Sequence, residues 1–166
     1  MYSEIVNVKE DEMKAVARYA WIGAVLFGIA LAAGGLFMVH EGRSAHDEVR
    51  DTLASEKIVT PEDAGIPTAP VTGPDEAKAQ AEVIRQHVLK ITNGKTYAEL
   101  DKNDPNRNTY LTSVTLRTAL MESYLAFKVS DLVTGMGVIV VFLGLSHVVM
   151  GAFLGLVVLP RTAVSV

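Results

Sequence analysis

The 166 residues contain no cysteine. That excludes disulfides, thiolate catalysis and cysteine-held iron–sulfur clusters. Nor is there a surplus of basic charge. Fifteen Lys and Arg stand against 19 Asp and Glu, for a net charge of −4, whereas a nucleic-acid surface calls for a clustered basic patch. No G-x-S-x-G, P-loop or G-x-G-x-x-G occurs, so the usual nucleophile elbow and phosphate cradles are missing. The most telling lack is local. Residues 19–39 carry no formal charge, and residues 132–159 carry a single ionisable group, His147.

Those two runs explain a composition that is 49% hydrophobic and still 20% charged: the polarity is segregated along the chain. About 20 apolar residues cross a hydrocarbon core of roughly 30 Å, and both runs reach that length. Two such helices in so short a chain have no shell of other sequence to bury them. The first run is longer than the ~7–15 residue core of a cleaved signal peptide. It follows a mixed-charge stretch with Glu4, Glu10, Asp11 and Glu12, and it ends in His40-Glu41-Gly42-Arg43 without a small-residue cleavage site. It reads as an uncleaved anchor.

The domains expected are therefore a cytoplasmic tail at 1–18, a first transmembrane helix at 19–39, an extracytoplasmic helical stalk and loop domain at 40–130, a second transmembrane helix at 131–159 and a cytoplasmic tail at 160–166. Long loops cross largely regardless of charge, so orientation is read from the tails. Lys14 and Arg18 precede the first run and Arg161 follows the second. Both termini are expected inside the cell membrane and the central domain outside, with Arg43 and Lys128 weakening the asymmetry.

Helical spacing continues past both membrane edges. Ala45, Val49 and Leu53 extend the first helix by about 18 residues, or roughly 27 Å. Leu116, Leu120, Tyr124 and Phe127 precede the second run over a similar length. Residues 60–74 hold four prolines and two glycines and predict extended or turn structure. A helix restarts at Pro74, carries the stripe Ala77, Ala81, Ile84, Val88 and Ile91, and stops at Asn93-Gly94. Thr96 and Glu99 have capping-box spacing and predict a short helix toward Lys102. The fold class expected is an all-α membrane protein with two long transmembrane helices extended as an antiparallel stalk and a small extracytoplasmic helical domain between them.

Small residues suggest how the spans associate. Ala20, Ala24, Gly28 and Ala32 recur at four-residue steps on the first, and Gly151 and Gly155 make a GxxxG on the second. Such ridges permit close backbone approach, either between the two spans or against neighbouring protein. His147, near the middle of the second span, is costly there and is a functional hypothesis by default. It could ligate a haem or bond a quinone, or it could simply be a neutral imidazole bonded to a carbonyl. A bis-His haem lacks a second histidine at that depth. His40 and His46 are six residues apart and point away from each other on a helix, unlike the i, i+4 pair of H-E-x-x-H. His87, beside Val88, reads as a half-buried core histidine. Glu82, Glu99, Asp101 and Asp104 read as a solvated face.

The run Ala79-Gln80-Ala81-Glu82-Val83-Ile84, then Gly94-Lys95-Thr96-Tyr97-Ala98-Glu99-Leu100-Asp101, then Asp104-Pro105 and Leu116-Arg117, resembles a group of small two-span actinobacterial membrane proteins. The likeness covers about residues 19–159, and Pro61-Glu62-Asp63-Ala64 belongs to it. Members are often labelled aromatic ring-opening dioxygenases, chemistry that uses a two-His-one-carboxylate iron face. The four histidines here are spread along the chain, and no site residue carries over. The resemblance implies a two-span layout with an outward domain.

The function expected is that of a non-catalytic accessory or scaffold subunit of a membrane assembly, without cofactor or metal. Its partners would be lipid and other membrane subunits or copies of itself. An extracytoplasmic sensor or ligand-binding protein, with a pocket beside the helix at 74–93, is the first alternative. A redox or quinone-associated subunit using His147 is the second.

Overall fold

The computed structural model describes the backbone of residues 2–158 and the side chains of residues 19–157. The side chains of Lys14 and Arg18, and the tail at 160–166 with Arg161, lie outside the described residues. The chain is all-helical, with α1 at Tyr2–Ser55, α2 at Pro74–Ile91 and α3 at Arg107–Val158. A single 3-10 turn occupies Glu62–Ala64. No strand occurs among the described residues; Val59 and Pro70 form an isolated antiparallel bridge.

Two helices are long and apolar enough to cross a membrane, Tyr19–Ser55 and Arg107–Val157. Only 11% and 17% of their most apolar windows are buried within the chain. A soluble core helix would be covered by its own protein, whereas these offer large apolar side chains such as Leu26, Phe37, Phe142 and Phe153 outward.

The chain divides into two compact units, one of Met1–His40 with Val133–Val166 and the other of Glu41–Leu132. In the first, the two helices meet backbone to backbone. A Cβ placed on Gly28 would lie 2.6 Å from the carbonyl oxygen of Gly144, and one on Gly144 would lie 2.5 Å from the amide nitrogen of Ala32. Gly35 meets the Gly137 carbonyl in the same way, at 2.7 Å, and Gly151 meets the Trp21 carbonyl at 2.9 Å. The facing numbers fall on one helix as they rise on the other, so the segments run in opposite directions.

The four-residue ridge drawn from the sequence differs from the contact line in the structure. Gly28 and Ala32 lie on that line, facing Gly144, whereas Ala20 is exposed. The closest approaches recur every seven residues, at Gly28 and Gly35 and at Gly137, Gly144 and Gly151. The reason is geometric. Two helices that stay in contact over several turns share a 3.5-residue period, whereas a four-residue row winds around the helix away from its partner. Gly155 completes the GxxxG by receiving the Trp21 ring, 3.1 Å from where its Cβ would stand.

The second unit has a core of Leu53, Val71, Ala77, Ala81, Leu120 and Phe127, with Val49, Ile58 and Ile84 packed against it. Phe127 is wholly buried, worth about 1.5–3 kcal/mol relative to exposure. A smaller cluster joins Val88, Leu100 and Tyr110. Gly73 stands at the N-cap of α2, with Pro74, Asp75 and Glu76 in its first turn. Its C-terminus closes as a Schellman motif. Asn93 takes the left-handed conformation, and the Gly94 amide donates to the Leu89 carbonyl at 2.7 Å.

Two expectations change here. The stretch before residue 19, expected as a tail ahead of the first span, is helical from Tyr2 and continuous with it, since no breaker separates the two. The short helix expected at 96–102 is a turn. Glu99 does accept from the Thr96 amide and hydroxyl, at 2.7 Å each, but Asp101 and Asp104 then accept from the backbone two residues on and divert the chain before a helical turn can propagate.

Gly144→Ala should lower the stability of the helical pair by about 1–3 kcal/mol, because the new methyl meets backbone that cannot yield. Gly23→Ala, with nothing within 4 Å of its Cβ, should be neutral or mildly stabilising. Denaturant titration of helix content in bicelles measures both, and equal losses at the two positions would contradict the contact line.

Candidate functional site

No group of three His, Cys, Asp or Glu side chains able to hold a metal occurs among the described residues. His147 is half-buried, and its Nδ1 lies 2.8 Å from the carbonyl oxygen of Leu143, one turn earlier. A carbonyl only accepts, so Nδ1 carries the proton. The Phe27 ring meets the imidazole edge-on at 5.5 Å between centroids. Local bonding thus accounts for a polar side chain in an apolar segment.

The other histidines lie in the second unit or at the edge of the first. His40 is exposed. The His46 ring meets that of Phe127 at 4.8 Å between centroids, tilted by 60°, and reaches Asp131 at 3.9 Å. His87 is exposed rather than the half-buried core residue expected, and its Nε2 bonds Asp63 at 2.8 Å. Its neighbour Val88 points inward, and successive residues on a helix are 100° apart, so His87 is turned out toward the 3-10 turn.

That turn belongs to the proline-rich segment, which is pinned rather than loose. Thr60 is fully buried. Its amide donates to the Ala69 carbonyl, and its hydroxyl oxygen accepts from the Ala69 amide, each at 2.9 Å. The Val71 amide donates to Ile58 at 2.9 Å, and the Val71 side chain is buried. The segment is a fixed wall against α2.

Beside that wall lies a groove of about 440 Å³, within the size range of small-molecule sites. Leu53, Ile58, Ile84, Leu116, Ala119 and Leu120 line it, with Thr52, Glu56, Gln80 and Ser123. The Thr52 hydroxyl donates to the Glu48 carbonyl and that of Ser123 to the Ala119 carbonyl, so both protons are spent on their own helices. The Gln80 Oε1 is buried without a hydrogen-bond partner. The groove is apolar, with one unsatisfied acceptor on a lining residue.

The more extensive feature is on α3. Leu111, Val114, Met121, Leu125, Val129 and Leu132 are between 37% and 61% exposed. They lie on one side of the helix, away from the buried Leu120 and Phe127. The sequence reading named the inner stripe through Leu120 and Phe127 and passed over this outer one. The signal was present as apolar residues at i, i+3, i+10 and i+14 from Leu111. It likewise passed over Gly35, Gly137 and Gly144, whose signal was the seven-residue interval.

No protein-family model, curated protein or solved structure matches the chain. The functional reading therefore rests on the residues themselves.

Electrostatics at the surface is local. The hydrogen bond from His87 holds the Asp63 carboxyl below its ordinary value of 3.8, aided by the imidazole's charge. Glu82 is lowered chiefly by its hydrogen bonds from Arg85 and Gln86, and Glu99 by those from Thr96. A depressed carboxyl stabilises the fold above its unfolded-state pKa, and that contribution is lost as pH falls through the folded value. Carbon-13 NMR of the Asp63 carboxyl should show a midpoint below 3.8 that moves back up in His87→Ala. A midpoint indifferent to that substitution would show that the hydrogen bond does not set it.

Proposed function

We propose that the chain is a two-span protein of the cell membrane, with both termini cytoplasmic. Residues 40–130 then form an extracytoplasmic helical stalk and loop domain, and the helices rise from the spans as an antiparallel pair. It serves as a non-catalytic accessory or scaffold subunit in a membrane assembly. The observation that carries this reading is the outer stripe of α3. Five large apolar side chains, Leu111, Val114, Met121, Leu125 and Val129, stand exposed along a stretch placed outside the lipid, with nothing among the described residues to cover them. Contiguous apolar surface facing water marks a protein interaction site. Gly28, Gly35, Gly137 and Gly144 are spent inside the hairpin, and the stripe is the surface offered to partners.

A mild detergent extract should migrate on native gels well above the 17.9 kDa monomer. Leu125→Glu should shift it toward the monomer without loss of helix content. A species of monomer mass after crosslinking in the native membrane would remove the scaffold reading. Because the chain lacks cysteine, labelling of Asp75→Cys in intact cells by an impermeant maleimide tests the orientation; labelling only after lysis would reverse it.

A second reading has its own support. The groove and its unpaired Gln80 oxygen suit a small apolar ligand with one hydrogen-bond donor, as an extracytoplasmic sensor would bind. An unsatisfied buried acceptor costs about 1–3 kcal/mol. Gln80→Leu should therefore raise the stability of the ligand-free protein by about 1 kcal/mol, read from its thermal midpoint. A loss of stability would show that the oxygen is satisfied in the working protein.

A further inference from the structure

We propose that the outer stripe of α3 is an interface between two copies of this chain, packed side by side in parallel along the segment before the second span. This rests on the assembly reading above and names its partner.

The spacing is that of a self-complementary seam. Leu111, Thr118, Leu125 and Leu132 recur every seven residues, and Val114, Met121 and Lys128 recur at the same interval three residues after them. These are the a and d positions of a heptad, and all seven are exposed. In a parallel two-fold pair each meets its own counterpart. Polar residues at such positions weaken a seam but specify its register, and Thr118 and Lys128 fill that role. The Lys128 ammonium lies 5.6 Å from the Tyr124 ring centroid, so its stem lies along the helix and its charge stays at the edge.

Charge selects the partner and its direction. Beside the seam, Arg117 falls at g and Glu122 at e. A parallel in-register pair brings each g residue to the e residue five positions on in the opposite helix. That sets Arg117 against Glu122 of the partner subunit, twice by symmetry. An antiparallel pair sets g against g and e against e, which places like charges together. Copies inserted into one bilayer in one orientation are parallel in any case. Within its own chain Arg117 lies in the field of Glu82, whose carboxylate is already held by Arg85 through contacts of 2.8 to 3.1 Å. Three heptads make a weak dimer in solution, but anchoring both copies in one membrane raises their effective concentration and makes a short seam sufficient.

The native absence of cysteine gives a clean test in the full-length protein in its own membranes. Thr118→Cys and Leu125→Cys, made separately and oxidised without detergent, should form disulfide-linked dimers. Leu116→Cys, exposed on a different side of the same helix, should form few. In the Leu125→Cys background, Arg117→Glu should reduce the dimer yield roughly two- to tenfold, as expected for the loss of two symmetry-related exposed ion pairs. Adding Glu122→Arg should restore it, which neither collision nor a general loss of folding would do. Equal crosslinking at positions 116 and 118, or failure of the double exchange to restore the yield, would overturn the proposal. If amine-reactive crosslinking then captures only a different polypeptide, the assembly reading survives without the second copy. If it captures nothing, both readings fall.

Discussion

Lipid removes the force that packs soluble helices, because a leucine gains nothing by leaving hydrocarbon for the face of a neighbouring helix. What remains is dispersion, which decays within an ångström of optimal contact. Two apolar helices therefore hold together only if their backbones come close, and only glycine and alanine allow it. The facing pairs Gly28 with Gly144 and Gly35 with Gly137 meet that demand, each leaving less than 3 Å where a Cβ would stand. The other features of the hairpin follow from it. The seven-residue interval is the period over which two helices can stay that close. Large side chains such as Leu26, Phe37 and Phe142 are pushed to the outside, the side a bilayer would solvate.

The unit between the apolar segments solves a different problem, since it has few residues with which to make a core. It uses small residues on α2, Ala77 and Ala81, to bring that helix down onto Leu53, Leu120 and Phe127. The proline-rich segment closes one side. Its backbone is satisfied by Thr60, which supplies both main-chain and side-chain partners to Ala69. Prolines cannot donate, and here the fully buried threonine supplies the missing polar complement. Packing is incomplete where α2 carries Gln80 and Ile84, and there the groove opens.

Much of this was legible in the sequence. The two charge-free runs stand out without any pattern analysis. The helix restart at Pro74 and its end at Asn93-Gly94 are written in residue types whose backbone preferences admit little else. The rest was not legible, for physical reasons. A four-residue ridge and a seven-residue seam share residues, as Gly28 shows, and which one forms depends on the facing helix. His87 sits beside a core valine in sequence, but one position is 100° of rotation, enough to turn it out to Asp63. The capping box at Thr96 forms only in half and yields a turn: the Thr96 amide and hydroxyl donate to the Glu99 carboxylate, but the Glu99 amide goes to the Thr96 carbonyl and not to its hydroxyl. The unsatisfied Gln80 oxygen is a property of its surroundings and has no sequence signal.

The segment of α3 before the second apolar run carries apolar side chains on opposite sides. Leu120 and Phe127 face the unit's core, while Leu111 and Leu125 face away from it. A helix apolar on more than one face is stable when it is buried in protein or in lipid. The inner face has its cover in α1 and α2. The outer face, if placed outside the bilayer as proposed, has none, and solvating it exposes several half-covered leucine-sized side chains at about 25 cal/mol per Å². A surface selected only for solubility would break such a line repeatedly with charge, whereas here Lys128 is the one charge on it and Arg117 and Glu122 lie beside it. That arrangement fits a helix that is a finished component on one side and half of an interface on the other.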